Sequence, residues 1–208
     1  MSHAKRLISL GFTNESFPCG THMCYIYKDD QERKELIAKF LASGLEEHEQ
    51  VGYFVDNMSP AQMREELRGL GLQAPPNLTE RDFQILPAQE VYCTNGRFIP
   101  EITLQKLREM YAGSLAAGYA GVRVSGEMSW ALRGLEGSER LIEYEAQVNV
   151  VFKDYPLTAI CQYDARRFDG GTLFDVLNVH PMMIIRGRVV HNPYYVQPEN
   201  LHRHSLLS

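Results

Sequence analysis

Apolar and polar positions follow two periods along this chain. Short, nearly unbroken apolar runs stand at Cys24–Tyr27, Gln50–Asp56, Asp82–Leu86, Gly121–Gly126 and Leu157–Tyr163. Each has the length and pattern of a buried strand. Between them lie longer stretches whose apolar residues recur every three or four positions, as on a helix with one buried face. Gln31–Ser43 is the first, with Leu36, Ile37, Phe40 and Leu41 at helical spacing and Gly44 as its expected stop. Ser59 before Pro60 reads as an N-cap followed by proline at the first helical position. That helix should run to Leu70, where Gly69, Gly71, Pro75 and Pro76 end it. Ile99–Ala117, closed by Gly118, and Glu139–Lys153, capped by Ser138, are two further amphipathic helices. A short helix over Gly171–Val179 precedes a hairpin of Met182–Ile185 and Val189–His191, turning at Arg186 and Gly187.

Strands that alternate with helices of this length imply βαβ units. The expected fold is α/β: a mainly parallel sheet flanked by helices, with a C-terminal β-hairpin. No internal repeat, linker or low-complexity stretch interrupts it, so residues 1–208 read as one domain with a core over 11–195 and short tails. In such sheets ligands bind at the carboxyl ends of the strands. Tyr27–Asp30, Asp56, Asn57, Pro87–Tyr92, Glu127–Trp130 and Asp164–Phe168 are therefore the candidate positions.

Composition narrows the function. A net charge of −5 and the lack of any basic run argue against direct nucleic-acid binding. No stretch approaches the roughly 18 apolar residues of a membrane span. The first ten residues lack the apolar core of a signal peptide. A cytoplasmic location is expected, with no membrane partner. The 4 cysteines are too scattered for a disulfide framework and should stay reduced.

The first strand exit is where an α/β nucleotide-binding protein places its phosphate loop. Such a loop needs glycines to wrap phosphates, then Lys and Ser/Thr. Lys28–Arg33 contains no glycine and carries Asp29, Asp30 and Glu32, which repel a triphosphate. No cofactor is expected. The same strand instead gathers Cys19, His22, Cys24, Tyr25 and Tyr27. His22 beside two tyrosines suits hydrogen bonding to a ligand or to a buried carboxylate. Glu127 follows a strand whose end carries acidic residues in RecA-type ATPases; it reads as a ligand anchor, or as a partner for Arg123 or Arg166. Trp130, the sole tryptophan, suits the wall of an apolar pocket or plain core packing. Asp164 precedes Arg166 and reads as a ligand contact or a loop ion pair. His180, held extended by Pro181, reads as a ligand contact or a turn anchor. No metal is expected. If one binds, Cys19, His22 and Cys24 offer three ligands, and a fourth has to come from Cys93, Cys161 or His180.

These residues also carry a family likeness. His22–Asp30, Phe40–Leu45, Tyr53–Asp56, Arg123–Trp130, Glu145–Asn149, Cys161–Asp164, His180 with Pro181, and Asn192 with Pro193 together resemble the MEDS domain. This sensory domain is named for methanogen and methylotroph regulators of the DcmR type. The resemblance spans Gly11 to Tyr195. It implies a RecA/KaiC-like fold without a working P-loop. It also implies a sensory role for small hydrocarbon-derived ligands, often beside a DNA-binding or histidine-kinase module. The chain departs from that pattern in leaving no room for a helix-turn-helix.

The leading reading is a ligand-binding sensory module. It places His22, Tyr25, Tyr27, Glu127, Trp130, Asp164 and His180 around a small molecule. Its partner would be a kinase or transcription regulator, and it can form a homo-oligomer. An enzyme using His22, Glu127 or Cys24 as acid, base or nucleophile, with or without a metal, is the alternative. A third reading is an interaction protein without a ligand.

Overall fold

A computed structural model describes residues 6–72 and 79–204. A hairpin of β1 (Leu7–Ser9) and β2 (Ser16–Pro18) leads into β3 (His22–Tyr27), α1 (Asp30–Glu46), β4 (Glu49–Val55), α2 (Pro60–Gly69) and β5 (Phe83–Pro87). A short excursion follows: α3 (Ala88–Tyr92) and the paired strands β6 (Cys93–Thr94) and β7 (Arg97–Phe98). The chain continues through α4 (Pro100–Ala116), β8 (Gly121–Glu127), two 3-10 turns, α5 (Leu141–Asp154), β9 (Thr158–Asp164), α6 (Gly170–Val179), β10 (Met182–Ile185), β11 (Arg188–His191) and α7 (Pro198–His204).

Seven strands form one sheet in the order β11-β10-β3-β9-β8-β4-β5, and every pairing is parallel except that of β10 with β11. The expected α/β fold and its closing hairpin are thus present. Arg186 (φ 49°) and Gly187 (φ 69°) both adopt the left-handed backbone that a tight hairpin turn requires. Along β8 and β9 every residue is buried, because helices cover both faces of the sheet.

The sheet sorts side chains to two cores by their parity. Met23, Tyr25, Tyr27, Val51, Tyr53, Val55 and Ile160 pack with α1 and α2. Cys24, Phe54, Val124, Ala159, Cys161 and Tyr163 pack with α4 and α5 on the opposite face.

Ser59 caps α2 as expected, in a reciprocal capping box with Gln62. Two other helix ends differ from expectation. Helix α1 does not stop at Gly44 but continues to Glu46. Gly44 serves packing instead, since a Cβ there would collide with the side chain of Arg123. Ser138 does not cap α5; it opens a 3-10 turn, Ser138–Arg140, and α5 starts at Leu141 with no side-chain cap. Pro75 and Pro76 lie outside the described residues.

Candidate functional site

At the carboxyl ends of β3, β4 and β8, where a bound nucleotide would sit in a RecA-type sheet, the chain has built a closed polar plug. The β3–α1 connection is only Lys28 and Asp29, and the Asp29 side chain accepts from the Glu32 backbone N–H to cap α1. One turn later Arg33 sends its guanidinium inward. Its Nη1 lies 2.8 Å from Glu127 Oε1, 2.8 Å from Tyr53 Oη and 2.9 Å from Gln162 Oε1. The Tyr53 hydroxyl donates to Glu127 Oε1 at 2.6 Å. Glu127 Oε2 accepts the backbone N–H groups of Asp56 and Asn57, both at 2.8 Å. Glu127 is therefore a paired and hydrogen-bonded buried carboxylate. Tyr27 lies beneath the same guanidinium, 5.0 Å from ring centroid to Arg33 Cζ. Burial raises the Tyr25 and Tyr27 hydroxyls to about 12. Asp164 accepts from Arg166 at both carboxylate oxygens, 2.7 Å each.

His22 and His180 lie elsewhere. His22 starts β3 and faces the opposite core from Tyr25 and Tyr27, beneath α5. There Glu145 and Asn149, one helical turn apart, enter the apolar face of α5. His22 Nδ1 is 3.0 Å from Asn149 Oδ1, and His22 Nε2 is 3.2 Å from Glu145 Oε2. His180, the C-terminal cap of α6, places Nδ1 2.8 Å from the Val176 carbonyl and Nε2 3.5 Å from the same Glu145 oxygen. The two imidazole centroids are 4.3 Å apart. Cys161 Sγ lies 3.4 Å from His22 Nε2 and 3.5 Å from Glu145 Oε2. Tyr163 donates to Glu145 Oε1 at 2.7 Å.

Burial, then the neighbouring His180, pushes His22 below its ordinary value. Burial acts to raise Glu145, but the facing imidazoles of His180 and His22 outweigh it and hold the carboxyl below the usual range. Burial and the adjacent Glu145 raise the Cys161 thiol. Among the described residues, His22, Glu145, Cys161 and His180 are the group whose ligand atoms converge closely enough to hold a metal ion. Cys19 and Cys24 are not in it. The Cys24 thiol is pushed up to about 12 by burial, which leaves it a poor nucleophile at neutral pH.

Beside this cluster lies a cavity of about 30 Å³ between the sheet and helices α4 and α5. Phe54, Val124 and Ala159 of the sheet, Leu107 and Met110 of α4, and Val148 and Phe152 of α5 make it apolar. His22 and Cys161 also reach its wall. Tyr92 lines it and is stacked at 5.0 Å on Trp130, which is fully buried behind it.

The structure thus distributes the sequence-derived candidates over separate places. His22 and His180 meet in the cluster; Tyr27 and Glu127 meet at Arg33. Tyr25 packs in the α1 core, Asp164 pairs with Arg166, and Trp130 backs the cavity wall. Glu145 was not among the candidates, nor was Arg33. The detectable signal for Glu145 is a charged residue, with Asn149 four positions on, inside the apolar stripe of Leu141, Tyr144, Val148 and Phe152.

Comparison with known proteins agrees with the fold. A KaiC-like protein from Pyrococcus horikoshii superposes with a TM-score of 0.59 at 18% identity, over 86% of this chain and 79% of the other. The flagellar accessory protein FlaH from Methanocaldococcus jannaschii gives 0.60 at 11% identity, over 88% and 83%. An uncharacterized P. horikoshii protein, solved in complex with an unknown peptide, gives 0.60 at 15% identity, over 80% and 77%. The transcriptional repressor DcmR of Methylorubrum extorquens is 32% identical over 78 residues, which is 37% of this chain and 29% of the repressor. The chain therefore matches less than a third of that relative's length. The family model for the methanogen/methylotroph DcmR sensory domain matches residues 21–181. The chain belongs to this MEDS family of sensory domains and has a RecA/KaiC-like fold.

Proposed function

We propose that this chain is the ligand-receiving module of a regulatory system, and that it takes a small, mainly apolar molecule into the cavity between the sheet and helices α4 and α5. The observation that carries this reading is the chemistry of the cavity wall: apolar side chains over most of it, with His22 and Cys161 from the sheet and Thr103 and Lys106 from α4 as its polar groups. Apolar walls with few convergent polar groups are the usual composition of small-molecule sites. A volume of about 30 Å³ is room for one or two water-sized groups, so a ligand of several heavy atoms enters as α4 and α5 move outward from the sheet. At the strand ends the Arg33–Glu127 plug closes the β3 and β8 side, and the open cleft of about 620 Å³ beyond β4 and β5, lined by Asp56, Ser59, Gln89, Glu90 and Arg133, is too polar for a mainly apolar molecule. Occupancy would favour one arrangement of α4 and α5 against the sheet, and a protein partner would read that shift. Kinship to a transcriptional repressor makes a transcription regulator the favoured partner.

The test is methyl-resolved NMR of the chain titrated with propan-1-ol. Saturable shifts are expected at Leu107, Met110, Val124, Val148 and Ala159, and Ala159→Leu, which fills the cavity, should abolish them. Saturable shifts centred on Tyr27 and Val55, at the strand ends, would contradict the assignment.

A further inference from the structure

The hydrogen bonds around His22 and His180 fix which ring nitrogen carries a proton. The Asn149 amide nitrogen points to the carbonyls of Val179 at 2.7 Å, Glu145 at 3.2 Å and Ala146 at 3.4 Å. Its Oδ1 is therefore the atom turned to His22, and an amide oxygen only accepts. His22 Nδ1 must then be the N–H. His180 Nδ1 faces the Val176 carbonyl, which also only accepts, so it too carries the proton. In neutral imidazoles both Nε2 atoms are left with a bare lone pair. Both aim at Glu145 Oε2, itself an acceptor, at 3.2 and 3.5 Å. His180 Nε2, fully buried, has no hydrogen-bond partner among the described residues. Cys161 brings one thiol proton to a group of three acceptors. A buried convergence of lone pairs is relieved by a positive charge, either a second proton on one imidazole or a bound metal ion, and the spacing decides between them.

The spacing suits a metal ion of a particular kind. Zinc bond lengths of about 2.0–2.3 Å to N, O and S give tetrahedral edges of about 3.3–3.8 Å. The four resolved edges are 3.2 Å for His22–Glu145, 3.4 Å for His22–Cys161, and 3.5 Å for both Cys161–Glu145 and His180–Glu145. All four ligand atoms lie within 4.8 Å of one another. The outer partners are those of a metal site as well. Each ligating imidazole donates its other N–H to an oxygen, and Tyr163 orients the carboxylate.

We propose that His22, Glu145, Cys161 and His180 form a tetrahedral site for one divalent transition-metal ion of the zinc class, set against the cavity wall. Two nitrogens, one sulfur and one oxygen suit zinc and its cobalt substitute better than a hard, all-oxygen cation. The inference stands apart from the sensory reading, since the ion can bind whether or not a small molecule does.

Cobalt is the probe. The full chain is produced in cobalt-supplemented minimal medium, and its metal content and absorption spectrum are measured. One equivalent of cobalt is expected, with the strong visible bands of a tetrahedral ion and a near-ultraviolet thiolate-to-cobalt band. Cys19→Ser, Cys24→Ser and Cys93→Ser should each keep that band, which assigns it to Cys161 even if Cys161→Ser does not fold. His180→Gln should weaken retention of the metal against a chelator at least tenfold. Folded chain without bound cobalt, bound cobalt without the thiolate band, or loss of that band in any of the three control variants would overturn the proposal.

Discussion

Arg33 and Glu127 form a buried ion pair, 2.8 Å from Nη1 to Oε1, across the carboxyl end of the sheet. The pair lies behind the β3–α1 connection and joins α1 to β8 and β4. Breaking it by removing one partner leaves an uncompensated buried charge. Glu127→Gln should therefore destabilise the chain by about 3–5 kcal/mol in urea unfolding. Arg33→Met with Glu127→Gln together should recover much of that loss. A Glu127→Gln variant of wild-type stability would show that the pair does not hold the strand ends.

The same plug predicts that Mg-ATP does not bind. The β3–α1 connection has no glycine, Asp29 is committed to the α1 N-terminus, and Arg33 fills the space behind it. Calorimetric titration should show no binding below millimolar concentration. Micromolar affinity would mean that Arg33 swings out and the plug opens.

Gly126 is where β8 passes beneath Tyr92. A Cβ at this position would run into the Tyr92 hydroxyl. Tyr92 cannot retreat freely, because Trp130 is stacked on its ring and Phe54 meets it edge-on at 5.9 Å. Gly126→Ala should cost about 1–3 kcal/mol, as overpacking does, and should shift the Trp130 fluorescence. An unchanged spectrum with full stability would show that the ring stack is loose.

Hydrogen bonds from Arg166 hold the Asp164 carboxyl below its ordinary value. A carboxylate depressed by folding stabilises the chain above its unfolded pKa, and that contribution is lost as pH falls through the folded value. The difference in urea midpoint between wild type and Asp164→Asn should accordingly be small but present at pH 7. It should shrink as pH drops below about 4. Arg166 is half exposed, so salt should reduce the difference too. A difference that grows on acidification would contradict the sign.

The order of strands and helices was legible because the central strands are buried on both faces and read as unbroken apolar runs, while the major helices bury one face and keep a period of 3.6. The β1–β2 hairpin and the α3–β6–β7 excursion were not legible, being strands of two or three residues and a helix of five. The cluster was half legible. His22, Cys161 and His180 stood out as residue types, but their partner Glu145 comes from a helix, where a glutamate in isolation reads as surface charge. The rule that ligands sit at strand carboxyl ends pointed to the Arg33–Glu127 plug. The cavity and the cluster lie on the α4–α5 face instead, where His22 enters its strand and Cys161 is partway along β9. Which face His22 occupies follows from strand parity. That a cavity opens beside it depends on how α4 and α5 pack, which no local pattern encodes.

In the proposed function the ligand chamber is the apolar cavity between the sheet and α4–α5. The most direct measurement is a crystal structure of the full chain pressurised with xenon. We expect a xenon peak in contact with Val124, Ala159, Leu107 and Phe152, with His22 and Cys161 at one side. Xenon excluded from that cavity, or seated at the strand ends beside Arg33 and Glu127, would contradict it.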